Sequence, residues 1–288
     1  MAKPLPSRIG IIGGSGMYHI DQIEVLDELH LNTPYGEPSA PLVLAKWHGQ
    51  EVVFLPRHGS KHEIPPHKIN YRANVYAMKL AGVTQLISVS AVGSLRQDMA
   101  PGDFVLVDQF VDFTKGREST FFDGPMVAHV SMADPVCASL GQKLSQAAAQ
   151  HDINWHQSGN YLAMQGPQFS SRAESELYRS WGLDVIGMTN MPEAKLAREA
   201  EICYATIAMC TDYDCWHQHE DDVNVAAILE LMQRNVANVK EVLNSFMLAC
   251  QPMSCACQTS LDAALLAKPA EQDEKALQPI FALVERFL

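Results

Sequence analysis

Two aspartates, Asp212 and Asp214 in IAMCTDYDCWHQHEDD, follow directly on an apolar run. In extended chain, residues two apart point to the same side, so both carboxylates could reach one ligand. Paired carboxylates serve metal binding, glycoside hydrolysis, or recognition of a polar ring edge. A glycosidase pair needs roughly 5 Å or more between members set on opposite sides of a sugar. Carboxylates facing one way better suit the edge of a base. The plain alternative is a solvated acidic loop, the usual place of aspartate, and His217 and His219 nearby read as surface residues.

Three further segments offer hydrogen-bond donors. LPRHGSKHEIPPHKINY gathers Arg57, His58, Lys61, His62, His67 and Lys68 in one loop. Such a cluster in an acidic chain suggests an anion site, with Arg57 presenting a planar fork to phosphate oxygens. His58 and His62 are four apart and would share a helical face for a metal, but Gly59 and Pro65-Pro66 argue against a helix, which favours the anion. VSAVGSL (89–95) is an apolar strand running into a small-residue turn, where the Ser90 hydroxyl and the Ala91 N–H are unobstructed. IGIIGGSGMYHI (9–20) ends its apolar run in Gly13-Gly14-Ser15-Gly16. The dinucleotide pattern G-x-G-x-x-G fails there because His19 holds the third glycine position, and no Gly-Lys-Ser/Thr completes a Walker loop. Singly, each segment reads as a turn after a strand; jointly, they read as phosphate binding.

The elements that must position these residues are legible as alternating strands and helices. RIGIIG, PLVLAKWHG, EVVFLPRHG, TQLISVSAVG, DFVLVDQFVD, NYLAMQGP, LDVIGMT and ICYATIAMCTD read as strands. NYRANVYAMKLAG, ending at Gly82, DPVCASLGQKLSQAAAQH, and SRAESELYRSWG with its Ser171–Glu174 capping box read as helices. So do MPEAKLAREAE, with Pro192 in its first turn, and VNVAAILELMQRNVANVKEVLNSFM, whose apolar residues recur at 3.6-residue spacing. The pattern predicts an α/β fold, a central mixed sheet flanked by helices. Residues 1–250 are expected to form one domain, and 251–288 a linker with an amphipathic tail. In that tail Leu277, Ile280, Phe281, Val284, Phe287 and Leu288 fall on one stripe, which should dock on the domain or on a neighbouring subunit.

Composition narrows the partners. Of 288 residues 47% are hydrophobic and 19% charged, enough for a sizeable core. A net charge of −12 without a basic run argues against nucleic acid. The absence of a long apolar stretch argues against a membrane span, and nothing suggests export, so the expectation is cytoplasmic. The seven cysteines are odd in number and mostly in apolar contexts, as expected of reduced thiols. Cys255 and Cys257 form a C-x-C, too few ligands for zinc. They are read as two free tail thiols, with a strained disulfide or a link to another chain as the alternatives their spacing allows.

GIIGGSG, PRHGSKH, NYRANVYAMK, GPQFSSRAESELYRSWG and MTNMPEAKLAREAEICYATIAMCTDYDCW together resemble the trimeric purine nucleoside phosphorylase family, in consistent order from Ile9 to Leu248. The resemblance implies that family's fold, no metal or organic cofactor, and inorganic phosphate as cosubstrate. It implies a homotrimer with composite active sites, a hexamer being the larger alternative. It places Ser15, Arg57, His58, Ser90, Ala91 and Thr189 on phosphate, Ser15 standing where the family often has threonine. Met188 falls on the sugar, and Asp212, Tyr213 and Asp214 on the purine. Phe169 and Ser170 line the nucleoside pocket, Val225 lies near a 5'-alkylthio group, and His129 reaches a neighbour's site. Asp212 is the expected catalytic acid. Aspartate rather than asparagine at 212 matches relatives that act on adenine rather than on 6-oxopurines; phosphorolysis of other purine nucleosides is the alternative.

Overall fold

The computed structural model describes residues 7–14, 23–124, 126–217, 225–250 and 254–288, with side chains of the helix beginning at 225 described from 230 onward. Strands β1 (Arg8–Gly13), β2 (Ile23–Leu29), β3 (Leu42–Trp47) and β4 (Gln50–Pro56) precede helix α1 (Tyr71–Leu80). Then come β5 (Val83–Ser94), β6 (Phe104–Val107), β7 (Gln109–Asp112), α2 (Ala138–Ala148), β8 (Trp155–His156) and β9 (Asn160–Ala163). The chain continues through α3 (Arg172–Ser180), β10 (Val185–Gly187), α4 (Asn190–Glu199), β11 (Cys203–Asp212), α5 (Val225–Ala249), α6 (Glu274–Leu277) and α7 (Phe281–Val284).

The expected mixed sheet is present, with β5 as its axis. One path runs β2-β3-β4-β1-β5-β10-β9-β7, while β11 lies along β5 and carries β6 and β8. Alternate residues of the central strands serve opposite faces. Ile9, Ile11, Val52, Phe54, Ile87 and Val89 pack with α2 and α5, whereas Ile12, Val53, Leu55 and Leu86 pack with α1, α4 and the tail. Two local differences from the sequence reading have physical causes. DFVLVDQFVD is not one strand: it divides at Asp108, β6 pairing antiparallel with β11 and β7 parallel with β9. Strand β2, IEVLDEL, went unread because it is an edge strand with Val25 and Leu26 in solvent and no apolar alternation.

The tail docks on the body of its own chain. Leu261, Ala264, Leu277, Ile280, Leu283 and Val284 join the core beneath α1 and α4. Arg286 binds Glu201 and Asp262, and Leu266 N–H donates to Val127 O at 3.1 Å. The predicted stripe is only partly right. Short helical turns replace one continuous helix, so Leu283 is buried while Phe281 and Leu288 are exposed. The C-x-C thiols are unbridged, as read, and Cys255 and Cys257 meet Cys137 and Cys203 from the body. A count within the tail gives two sulfurs; the other two come from far along the chain. No helix of the described residues is long and apolar enough to cross a membrane.

Candidate active site

Parallel pairing brings the donor segments together. Gly13 pairs with Pro56 across β1 and β4, and Ile12 with Ser88 across β1 and β5, so the carboxyl ends of β1 and β4 adjoin the middle of β5. Arg57 N–H donates to Gly13 O at 2.9 Å, tying the basic loop to the glycine turn. Along β5, β1 pairs only as far as Ser88, and β10 takes up the same edge at Gly93, which faces Asp212 of β11 on its other side. Among the described residues, 89–92 therefore have no strand partner on that edge. Ser90 and Ala91 lie in this gap, at a parting of strands of the kind where α/β sheets bind ligands.

The Ser90 hydroxyl is 3.2 Å from that of Thr189. Thr189 is the N-cap residue of α4, yet its hydroxyl makes no capping bond and stays available. Beneath them lies a buried polar network that sequence reasoning missed. Arg57 is 1% exposed, and its fork is taken by Glu193: Nε and Nη2 donate to the two carboxylate oxygens at 2.8 and 3.0 Å. Nη2 also reaches Ser88 Oγ, and Nη1 reaches Val89 O. Asn190 Nδ2 donates to Ser88, Tyr204 and Thr206, and the Tyr204 hydroxyl donates to Glu193. Two of the donors expected to face phosphate, Nε and Nη2, are thus taken up inside the protein. Arg57 contributes its buried charge and holds β4, β5 and α4 in register, because unpaired Glu193 would be costly in this interior.

His58 is half-buried with Nδ1 2.8 Å from Ile64 O, and its ring stacks on His62 at 4.4 Å. Burial, with the neighbouring Arg57 and His62 charges, lowers its pKa to about 4, so the ring is neutral at pH 7. A neutral ring donating through Nδ1 leaves Nε2 as an acceptor, suited to a protonated phosphate oxygen. The loop is not helical, and His62 sits at φ +58°, so the pair does not present the shared face expected of helical metal ligands.

The acidic pair converges, but not by strand alternation. Asp212 ends β11, and Asp214 lies in a left-handed turn at φ +52°. Asp212 Oδ1 accepts the Asp214 N–H at 2.8 Å, and Oδ2 accepts the Thr211 hydroxyl at 2.8 Å. Both side chains lean over Gly93, where a Cβ would come within 2.9 Å of Asp212 Oδ1 and 3.3 Å of Asp214 Cβ. Burial raises the Asp214 carboxyl above its ordinary range; Oδ2 has no hydrogen-bond partner, although the Ser170 and Ser175 hydroxyls adjoin the group. Tyr213 packs under the turn, its hydroxyl donating to Gln97 O and its ring stacked on His217 at 4.7 Å.

Met188 packs its sulfur over Gly166, where a Cβ would lie 2.4 Å away. A second unanticipated residue, Arg117, clamps this corner, Nη1 donating to Met188 O and Met191 O and Nη2 to Gln165 O. Ser170 is buried, Phe169 is 58% exposed, and His129 lies on the surface. Ser15 and the Val225 side chain lie outside the described residues.

The model of the Phosphorylase superfamily matches residues 8–247. The chain belongs to the Phosphorylase superfamily. Among curated phosphorylases, it is 51% identical over 260 residues to S-methyl-5'-thioadenosine phosphorylase of Thermofilum pendens, covering 90% of this chain and 98% of that one. To the enzyme of that name from Cereibacter sphaeroides it is 46% identical, with 99% of each covered. Among solved phosphorylases, a methylthioadenosine phosphorylase from an antarctic soil metagenomic library superposes with a TM-score of 0.91 at 43% identity, covering 97% and 99% of the two chains. The Schistosoma mansoni methylthioadenosine phosphorylase in complex with adenine gives 0.80 at 36% identity, covering 98% and 99%.

Proposed function

We propose that the protein is a pentosyltransferase that cleaves S-methyl-5'-thioadenosine with inorganic phosphate, giving adenine and 5-methylthioribose 1-phosphate in purine and methionine salvage. One observation carries the site assignment: the gap on β5 sets the Ser90 and Thr189 hydroxyls at one end and the Asp212–Asp214 pair at the other. Phosphate occupies the first end, met by those hydroxyls, the Ala91 N–H, neutral His58 and the charge of Arg57, with Ser15 completing the set from the glycine turn. The purine edge meets the acidic pair at the other end, and the sugar lies between them against Met188.

The reaction forms a bond from a phosphate oxygen to C1' and breaks the bond from C1' to N9. The sugar becomes oxocarbenium-like, and the departing purine gains electron density. Phosphate fixed by several donors is already positioned to attack and to stabilise the developing cation. Burial favours the protonated form of Asp214; a proton shared by the two interacting carboxyls passes through Asp212 to N7 of the leaving base. The second carboxyl accepts from the 6-amino group, which favours adenine over a 6-oxopurine. Val225 meets the methylthio group, and Phe169 and Ser170 close the pocket. No resident cofactor is required.

We further infer a homotrimer in the cytoplasm. The exposed rings of Phe113 and Trp181, 5.3 Å apart, and exposed Leu177 and Val127 are apolar surface suited to association. Exposed His129 then supplies a neighbour's site. The deciding experiment is adenine release from methylthioadenosine with and without phosphate, beside inosine and methylthioinosine. Phosphate-dependent release from methylthioadenosine is expected; release only from the 6-oxo nucleosides would favour the alternative phosphorylase.

A further inference from the structure

The four sulfurs of Cys137, Cys203, Cys255 and Cys257 lie within 4.8 Å of one another, at the end of the molecule remote from the acidic pair. Cys137 is the N-cap residue of α2, Cys203 opens β11, and Cys255 and Cys257 flank the start of a short 3-10 turn in the tail. Cys137, Cys203 and Cys257 are buried and Cys255 is half-buried. The nearest pair, Cys203 and Cys255, is 2.9 Å apart and Cys137 to Cys255 is 3.7 Å, all seven cysteines being unbridged.

We infer that these four cysteines form a structural zinc site that fastens the tail to the body. Zinc–sulfur bonds of about 2.3 Å in a tetrahedron place neighbouring sulfurs about 3.8 Å apart. The observed separations run from 2.9 Å to no more than 4.8 Å, a range that includes that value, so the sulfurs need move only slightly to enclose one ion. Two ligands come from ends of rigid elements and two from the C-x-C, which leaves no open position for substrate and makes the role structural.

The surroundings suit the charge. Binding forms four zinc–sulfur bonds and releases the four thiol protons to solvent, leaving a complex of net charge −2 with no change of oxidation state. Arg198 Nη1 donates to Cys257 Sγ at 3.6 Å, an arginine on the cluster that the proposed active site does not use. Arg198 is itself anchored on Asp134 O, and its own carbonyl accepts the Ser260 hydroxyl of the tail. The N-cap position of Cys137 adds the positive end of α2. Sulfur and cation thus hold the same junction. Because β11 spans ten residues from Cys203 to Asp212, the cluster is about 30 Å from the acidic pair. Loss of metal should therefore weaken the tail's attachment and leave the chemistry intact.

Metal analysis of the full chain, purified without chelator in reducing buffer and incubated with zinc chloride, tests this. The expected content is about one zinc per chain. Cys255→Ser with Cys257→Ser should abolish it, and Cys250→Ser should not. Cobalt in place of zinc should give the intense visible bands of a tetrahedral tetrathiolate, a readout on the unaltered chain should the double variant fail to fold. Stripping the metal should lower the thermal midpoint and expose the peptide bonds after Ser254 to protease, with kcat/KM at room temperature unchanged. No zinc retained with the thiols reduced, no tetrathiolate spectrum with cobalt, or disulfides among these cysteines in freshly purified protein would each overturn the assignment.

Discussion

The carboxylate of Asp212 accepts the backbone N–H of Asp214 at 2.8 Å, so one acidic residue builds the turn that presents the other. This is a side chain closing a turn two residues on, a geometry aspartate and asparagine share. Asp212→Asn can therefore keep the turn while changing the group shown to the base. We expect kcat/KM for methylthioadenosine to fall by two orders of magnitude or more, about 2.7 kcal/mol, with relative gain for inosine and an unchanged melting temperature. Undiminished adenine release would remove Asp212 from the reaction.

Gly93 should be as sensitive as the acids. A Cβ there meets Asp212 Oδ1, a side-chain end that can move aside, as well as Ile186 Cγ2 at 3.1 Å. Gly93→Ala is expected to fold and bind phosphate normally while losing at least about tenfold in kcat, as misplacement of a reacting group does. Parallel phosphate-saturation curves and single-turnover rates check both parts.

The raised pKa of Asp214 has a stability consequence. Its folded carboxyl binds a proton more tightly than the unfolded one at 3.8, so below that pH both states are protonated and the group is neutral to stability. As pH rises above 3.8 the unfolded state ionises first, and burial increasingly penalises the fold until the folded carboxyl has also ionised. Asp214→Asn, acceptable at positive φ, should remove that penalty. Its melting temperature should gain on that of the unaltered protein as pH is raised from 3.5 to 8, and a constant difference would contradict this.

Arg57 combines two roles that a double substitution can separate. Arg57→Ala leaves Glu193 buried and unpaired, which should cost about 3–5 kcal/mol of stability. Arg57→Met with Glu193→Leu should recover most of that loss in thermal melting but not the affinity for phosphate. Restored phosphate saturation in the double variant would show that the guanidinium charge is not felt at the anion.

Thr189 presents the opposite case. Its hydroxyl faces Ser90 and caps nothing, so Thr189→Val should shift the melting temperature by only about a few degrees. A lost hydrogen bond to a charged group is worth about 1.5–3 kcal/mol, so the KM for phosphate should rise about tenfold or more. An equal rise in KM for the nucleoside would instead place Thr189 on the sugar.

What the sequence by itself determined is local. Short apolar and β-branched runs marked most central strands, 3.6-residue spacing and capping residues marked the helices, and small-residue turns marked the ligand ends of β1 and β5. The Ser171–Glu174 capping box is present as read. The tertiary structure decided whatever depends on pairing between distant segments. Nothing near Arg57 announces that Glu193, 136 residues on, takes its fork. Nothing within DFVLVDQFVD says that its halves join different neighbours, since a strand's partner is set by the whole sheet. The gap on β5 exists only because β1 stops at Ser88 and β10 arrives at Gly93. The C-x-C likewise acquires meaning from Cys137 and Cys203, which lie 118 and 52 residues from Cys255. Turn chemistry is written in neighbouring residues, but a site assembled from several elements is written in their register, which becomes readable only once the core has packed.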